Sequence, residues 1–197
     1  MTPKRSITRE FGLQFKTLLT VVAVLWVIEL IDIPLGGSLN RFGIQPREVV
    51  GLRGIVFAPF LHGDLLHLLS NTVPFVVLSW LIMLRETADW LVVTLIVGLL
   101  GGLGTWLFGQ TGSVHIGASG VVFGYFGFLL ARGYYERSFI SIAFSVLVAL
   151  MYGGLIFGVL PGQPGISWEG HLFGFIGGIA AAKWLSPPRK KSNDFEI

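Results

Sequence analysis

The sequence of 197 residues contains no cysteine and few charged residues. Without cysteine, the chain can form neither disulfides nor thiolate metal sites. Charged residues make up 13% of the chain, whereas a soluble domain typically has about 25%. Hydrophobic residues make up 53%, and the mean hydropathy is +0.75. These values predict an integral membrane protein with little chain outside the lipid bilayer.

Basic residues are concentrated towards the two ends of the chain. With the N-terminus inside, eleven lysines and arginines fall on the cytoplasmic side and three, Arg41, Arg47 and Arg53, on the outer side. This asymmetry predicts that both termini are cytoplasmic, and a bacterial cytoplasmic membrane is the favoured location. No basic stripe with interleaved aromatic residues is present, which argues against a nucleic-acid partner.

Six apolar runs are predicted to be membrane helices. They cover residues 15–34, 65–84, 90–108, 118–133, 139–160 and 170–186. The expected fold is therefore an all-α, polytopic bundle of six spans over residues 15–186, with a cytoplasmic tail at 1–14 and a basic cytoplasmic tail at 187–197. The first loop, 35–64, is long and apolar, which predicts a structured element in the outer leaflet.

Ser119 stands in the motif Gly117-Ala118-Ser119-Gly120 at the start of the fourth run. Serine is common where membrane helices pack closely, so a structural role is one interpretation. Polar residues at membrane depth, however, often line functional cavities, and Gly117 and Gly120 permit a tight turn and close helix contact. Ser119 is therefore a candidate nucleophile. The motif differs from the hydrolase elbow because Val121 replaces its second glycine.

His171 stands in Gly170-His171-Leu172-Phe173-Gly174, at the start of the last run. It could be a structural histidine bonded between helices. Gly170 and Gly174, however, are four residues apart on one helix face, so this helix can pack tightly against the glycine-containing fourth run. That packing would bring the imidazole of His171 to the hydroxyl of Ser119, as covalent catalysis requires.

His67 and Asn71 lie four residues apart in the second run and share a helix face. They could clasp two helices together or donate hydrogen bonds to an oxyanion. His62 is expected at the entrance of the site, to organise water or as an interfacial polar residue. The five-residue spacing of His62 and His67 is not that of a helical metal pair, so neither metal nor cofactor is predicted. An interfacial or loop-anchoring role is the main assignment for three acidic residues, Glu29, Asp32 and Glu169, and the last of these could also tune the base directly.

The three motifs, with His67-Leu68-Leu69-Ser70-Asn71 as the first, resemble those of the rhomboid family of intramembrane serine proteases in order, spacing and helix context. The resemblance covers residues 15–186 and implies the minimal six-span form. It implies a Ser119–His171 dyad without a carboxylate, and an acyl-enzyme intermediate. It further implies an oxyanion hole made by His67, Asn71 and the Ser119 amide.

The resemblance also implies an active site that opens to the outer side and single-span membrane proteins as substrates. Two positions depart from the family pattern. Phe123 replaces a tyrosine that many members stack on the catalytic imidazole, and Leu52-Arg53 replaces a Trp-Arg pair in the first loop. Stacking on the imidazole is expected to survive, whereas anchoring of the loop is expected to differ.

Two other functions are compatible with a membrane helix bundle. A rhomboid relative without activity would bind membrane clients, but such relatives lack the serine or the histidine, and both are present. A small transporter would show inverted repeats or a path of charged residues, and neither is evident. The sequence predicts neither the substrate, nor its cleavage site, nor the oligomeric state.

Overall fold

The computed structural model describes residues 7–163 and 165–186, and this part of the chain is helical, with one isolated β-bridge between Ile44 and His115. The predicted tail at 187–197 and residues 1–6 of the predicted N-terminal tail lie outside the described residues. The α-helices are α1 Ile7–Asp32, α2 Gly54–Phe57, α3 Leu65–Met83, α4 Thr87–Phe108, α5 Ser119–Glu136, α6 Phe139–Tyr152 and α7 Trp168–Leu185. Short 3-10 helices cover Ser38–Phe42, Val49–Arg53, Ala58–Phe60 and Gly153–Val159.

Two helix boundaries differ from those expected by more than three residues. Helix α1 begins at Ile7 rather than at residue 15, because hydropathy marks only the apolar part of a helix, and Arg9 and Glu10 are good helix formers. Helix α6 ends at Tyr152, and the chain continues as a 3-10 helix. The adjacent glycines Gly153 and Gly154 weaken the α-helix at that point.

Four segments are long and apolar enough to cross a membrane: α1, α3, α4 and the run Phe139–Val159. Helix α5 lies at the centre of the bundle, where it packs against α3, α4, α6 and α7. Its buried side chains, among them Val122, Tyr125, Phe126 and Phe128, form the core together with residues of α3 and α4. The fold is thus a bundle of apolar helices wrapped around α5.

Glycines bring α7 against α5. A Cβ atom on Gly174 would overlap the carbonyl oxygen of Gly120, and one on Gly178 would overlap that of Gly124. The backbones therefore approach more closely than any side chain would allow, as the four-residue glycine spacing predicts. This contact sets the distance between the first turns of the two helices.

The other end of α5 is held by buried charges that are paired. Arg132 donates to Asp89 at 3.1 Å and to Glu136 at 2.9 Å, and Arg85 also pairs with Glu136. Buried ions without partners would be costly, so this network fixes the end of the bundle away from Ser119.

The segment between α1 and α3 is folded onto the bundle. Arg53 donates to the carbonyl of Arg41 at 3.1 Å and lies over the ring of Phe42. Trp106 of α4 donates to the carbonyl of Glu48 at 2.8 Å. The segment also pairs with the loop before α5 through the Ile44–His115 bridge. It therefore supports the loop that delivers Ser119.

Candidate active site

Ser119 and His171 meet at the start of α5 and α7. Ser119 is the first residue of α5, and its Oγ lies 2.7 Å from Nε2 of His171. His171 is 7% exposed. The turn into α5 needs glycine at position 117, because φ is +110° there and a Cβ would lie 2.8 Å from the His67 ring. The two predicted residues are thus within hydrogen-bond distance, although they are 52 positions apart.

The hydrogen bonds of His171 identify its tautomer. Its Nδ1 lies 2.9 Å from the carbonyl oxygen of Gly158, which can only accept, so Nδ1 carries the proton. Nε2 is then free to accept the hydroxyl proton of Ser119. This is the geometry that a general base requires. In the described part of the chain, Nδ1–H of His171 donates to a backbone carbonyl, whereas in many serine hydrolases the equivalent acceptor is a carboxylate. The neighbouring Glu169 makes no hydrogen bond with the His171 ring.

Phe123 lies one turn after Ser119 and stacks on the imidazole. The ring centroids are 3.9 Å apart, and the planes differ by 8°. A Cβ on Gly158 would lie 2.6 Å from Cζ of Phe123, so the glycine leaves room for this stack. The stacking expected for Phe123 is present, and it holds the His171 ring in its plane.

Two unpaired donors point towards the turn before Ser119. Nδ1 of His67 accepts from the Gly63 amide at 3.4 Å, which leaves the proton on Nε2, next to Gly117. Nδ2 of Asn71 is buried, has no hydrogen-bond partner in the described chain, and lies 3.6 Å from the Cβ position of Gly117. The amide of Ser119, as the first of α5, has no partner within the helix. A negatively charged oxygen beside Ser119 could accept from all three groups.

The sequence predicted His62 at the entrance of the site, but the structure places His62 in the interior. It is 1% exposed, and its Nε2 accepts from the Ala118 amide at 3.4 Å. The short helical turns before it fold the chain beneath the loop that leads to Ser119. Burial lowers the pKa of His62 to about 4, so the ring is neutral and can accept this bond at neutral pH.

A cleft of about 1190 Å³ runs past the dyad. Its lining includes Ser119, His171, His67 and Asn71, together with residues of the loop before α7 such as Gln163. The volume is sufficient for several residues of an extended peptide. The candidate residues therefore face one continuous space.

His115 was missed by the sequence reasoning. Its Nε2 lies 2.8 Å from Oγ of Ser113 and its Nδ1 lies 2.5 Å from Oγ of Ser167. Ser113 donates to the carbonyl of Gln110, so it accepts from Nε2–H, and Ser167 donates to Nδ1. Burial lowers the pKa of His115, and the charge of Glu169 opposes that shift. His115 thus links the loop before α5 to the residue before α7. In the sequence, only its position four residues before Ser119 could have indicated that His115 lies near the site.

In comparisons with known proteins, the family model of the Rhomboid domain matches residues 50–188 of this chain, which include the three motifs. An uncharacterized protein of Mycobacterium tuberculosis (strain H37Rv) is 44% identical over 184 residues, which are 89% of this chain and 77% of that protein. An uncharacterized protein of Mycobacterium leprae is 42% identical over 184 residues, 89% of this chain and 73% of that protein. A Bacillus subtilis protein named "Putative rhomboid protease YdcA" is 32% identical over 122 residues, 60% of each chain.

Proposed function

Because the chain is an integral membrane protein that belongs to the rhomboid family, we propose that it is an intramembrane serine endopeptidase with Ser119 as nucleophile and His171 as general base. One observation carries the proposal: Ser119 Oγ lies 2.7 Å from the unprotonated Nε2 of an imidazole whose Nδ1–H is held by Gly158. A serine and a histidine that only packed two helices together would not need the histidine in this tautomer.

In the proposed acylation, Oγ of Ser119 forms a bond with the carbonyl carbon of the substrate, and His171 takes the hydroxyl proton on Nε2. The carbonyl oxygen becomes an oxyanion, which accepts hydrogen bonds from His67 Nε2–H, Asn71 Nδ2–H and the Ser119 amide. When the intermediate collapses, the peptide bond breaks and His171 gives its proton to the departing amine. The remaining acyl group is attached to Ser119.

Deacylation repeats these steps with water as the nucleophile. His171 takes a proton from the water, whose oxygen attacks the acyl carbon, and returns the proton to Oγ of Ser119. The Gly158 carbonyl supports both halves of the cycle, because it fixes the ring orientation and accepts a stronger hydrogen bond when the imidazole becomes charged. Phe123 keeps the ring in the plane that reaches Ser119.

We propose single-span membrane proteins as substrates. A transmembrane helix hides its carbonyl groups in its own hydrogen bonds, so the substrate must unwind locally before Ser119 can attack. Only Ser141 and Val148 of α6 are buried, so this helix has little of its surface packed against the bundle, and the 3-10 helix Gly153–Val159 that follows it lines the cleft. Displacement of α6, with the segment 160–163 that follows it, would admit an unwound chain from the lipid.

The proposed topology has six spans. Helices α5 and α7 have 18 residues each, enough to cross much of the hydrocarbon layer. Helix α5 is enclosed by other helices, whereas α7 packs one face against α4 and α5 and exposes Ile176 on the other. Both termini would be cytoplasmic, and the cleft would open to the outer side of a bacterial cytoplasmic membrane. The excess of basic residues at the chain ends supports this orientation.

The experiment that tests this function uses the purified protein in liposomes with a panel of single-span substrates, and identifies the products by mass spectrometry. We expect one cut within or beside the transmembrane segment of some substrates, and no cut with Ser119→Ala. Cleavage that survives Ser119→Ala would contradict the proposal. Binding of these substrates without cleavage by the wild-type protein would favour a client-binding function.

A further inference from the structure

A second cavity lies beside the active-site cleft and is strongly acidic. It has a volume of about 570 Å³ and lies between the outer end of α1, the segment after it and the start of α3. Three carboxylates line it, those of Glu29, Asp32 and Asp64, and no lysine or arginine is among its lining residues. None of these carboxylates has a part in the proposed reaction.

The Glu29 carboxylate faces the cavity and has no compensating partner. Glu29 is 3% exposed, and within residues 7–163 and 165–186 its carboxylate has neither a hydrogen bond nor an ion pair. The charged groups that act on it are Asp32 and Asp64, both of the same sign. A buried carboxylate is costly unless it is paired. The cavity therefore holds a carboxylate that lacks a positive partner.

The other two carboxylates are held in place by backbone amides. One oxygen of Asp32 accepts from the amide of Leu39 at 2.8 Å, and one oxygen of Asp64 accepts from the amide of His67 at 2.7 Å. Each of these side chains is thereby oriented and retains a second oxygen. Little conformational entropy would be lost when a ligand binds them.

His62 forms part of the cavity wall and does not neutralise it. The ring accepts from the Ala118 amide through Nε2, and the backbone of Phe60 is the hydrogen-bond partner on its other side. Because burial lowers the pKa of His62 to about 4, the ring carries no positive charge at neutral pH. His62 therefore adds no positive charge that could balance the three carboxylates.

The cavity adjoins the active-site cleft. Gly63 and Asp64 line both the acidic cavity and the cleft that contains Ser119 and His171. A peptide bound in the cleft could therefore place a side chain among the carboxylates. Histidine, aspartate and glutamate residues of the described chain form no group of three that could hold a metal ion, which favours an organic cation as the ligand.

We propose that this cavity is a subsite for a basic side chain of the substrate, a lysine or an arginine close to the scissile bond. The inference rests on the proposed protease function and adds a selection rule to it. Lysine and arginine are depleted on the outer side of membrane proteins. A requirement for a positive charge there would distinguish a few substrates from the many single-span proteins in the same membrane.

The test uses the full-length protein in liposomes and single-span substrates that are identical except at one position. Lysine, arginine, glutamine or glutamate is placed at each of the five positions on either side of the cleaved bond, and kcat/KM is measured. We expect one position at which lysine and arginine raise kcat/KM about three- to tenfold over glutamine and at which glutamate lowers it. The gain should shrink as NaCl screens the carboxylates.

Protein variants then assign the effect to the cavity. The double variant Glu29→Gln/Asp32→Asn should lose the gain, whereas Glu48→Gln, which removes an exposed charge outside the cavity, should keep it. If the double variant does not fold, Asp64→Asn decides by the same comparison, because asparagine retains the helix cap.

The outcomes separate the subsite from the protease function. Cleavage that depends on Ser119 but shows no preference for a basic residue at any position overturns the subsite alone. A preference that persists in the cavity variants also overturns it. Cleavage that does not depend on Ser119, or no cleavage of any substrate, overturns the proposed function itself.

Discussion

Gly174 of α7 faces the backbone of α5 at Gly120, the residue next to Ser119, so it offers a sensitive test of how the dyad is assembled. A Cβ at position 174 would overlap the carbonyl oxygen of Gly120. Backbone atoms cannot rotate away, so Gly174→Ala should move α7 away from α5 by about 1 Å. Overpacking of this kind costs roughly 1–3 kcal/mol of stability.

The same displacement should affect catalysis strongly. His171 lies three residues before Gly174 on α7, so the distance between Nε2 and Ser119 Oγ should increase from 2.7 Å. A misplacement of about 1 Å in a reacting pair can lower the rate about 100-fold. We therefore expect Gly174→Ala to lower kcat by about two orders of magnitude, with KM changed less, and Gly174→Val to be more damaging.

The assay measures kcat, KM and thermal unfolding of the reconstituted protein. Gly98→Ala is the matched control, because a Cβ at position 98 of α4 would have no atom within 4 Å. This control should retain activity and stability. Wild-type activity in Gly174→Ala would show that close packing of α7 on α5 does not set the dyad geometry.

Three further predictions concern single side chains near the dyad. Asn71→Ala should lower kcat about 100-fold with little change in KM, because an oxyanion donor acts mainly in the transition state. Steady-state kinetics that show an effect on KM alone would contradict this role. Phe123→Leu should lower kcat about three- to tenfold, because the stack on His171 is lost, and the same kinetic measurement would detect the decrease. An unchanged kcat would mean that the stack does not position the His171 ring. The free energy of unfolding should fall as the pH decreases from 6.5 to about 4, because the pKa of His62 is lower in the folded state. In this range the unfolded state binds a proton at His62 that the folded state does not. His62 should therefore contribute a loss of at most about 1.4 kcal/mol per pH unit. Unfolding curves of His62→Gln at several pH values should show a shallower dependence, and an identical dependence would argue against buried, neutral His62.

The helices and the proximity of the main candidate residues were predictable because they depend on local patterns. Apolar runs located the helices, and the glycines at four-residue spacing indicated that α7 approaches α5. That approach is sufficient to bring His171 to Ser119. The shared face of His67 and Asn71 followed from helical periodicity in the same way. These inferences needed only the spacing of residues along single helices.

Other features could not be predicted because they depend on contacts between distant loops. The partner of His171 Nδ1 is a backbone carbonyl, that of Gly158, and any residue type carries one. His115 bonds Ser167, which is 52 residues away, and no periodicity connects them. The interior position of His62 depends on how the chain between α1 and α3 folds back. Hydropathy alone gave no information on these contacts.

The acidic cavity illustrates the same limit. From the sequence, Glu29 was assigned mainly an interfacial or loop-anchoring role. Only the folded chain brings Asp64, from the start of α3, to the same cavity. The order of residues does not show that these three carboxylates line one cavity without a lysine or arginine among its lining residues.

The central claim, that His171 activates Ser119 as a nucleophile, is tested most directly by covalent labelling. The reconstituted protein is treated with a fluorophosphonate, and the modified peptide is identified by mass spectrometry, with His171→Ala as the second sample. We predict that the label is found on Ser119 of the wild-type protein and that its rate of formation falls at least about 100-fold in His171→Ala. Labelling of another residue, or equal rates in the two proteins, would contradict the claim.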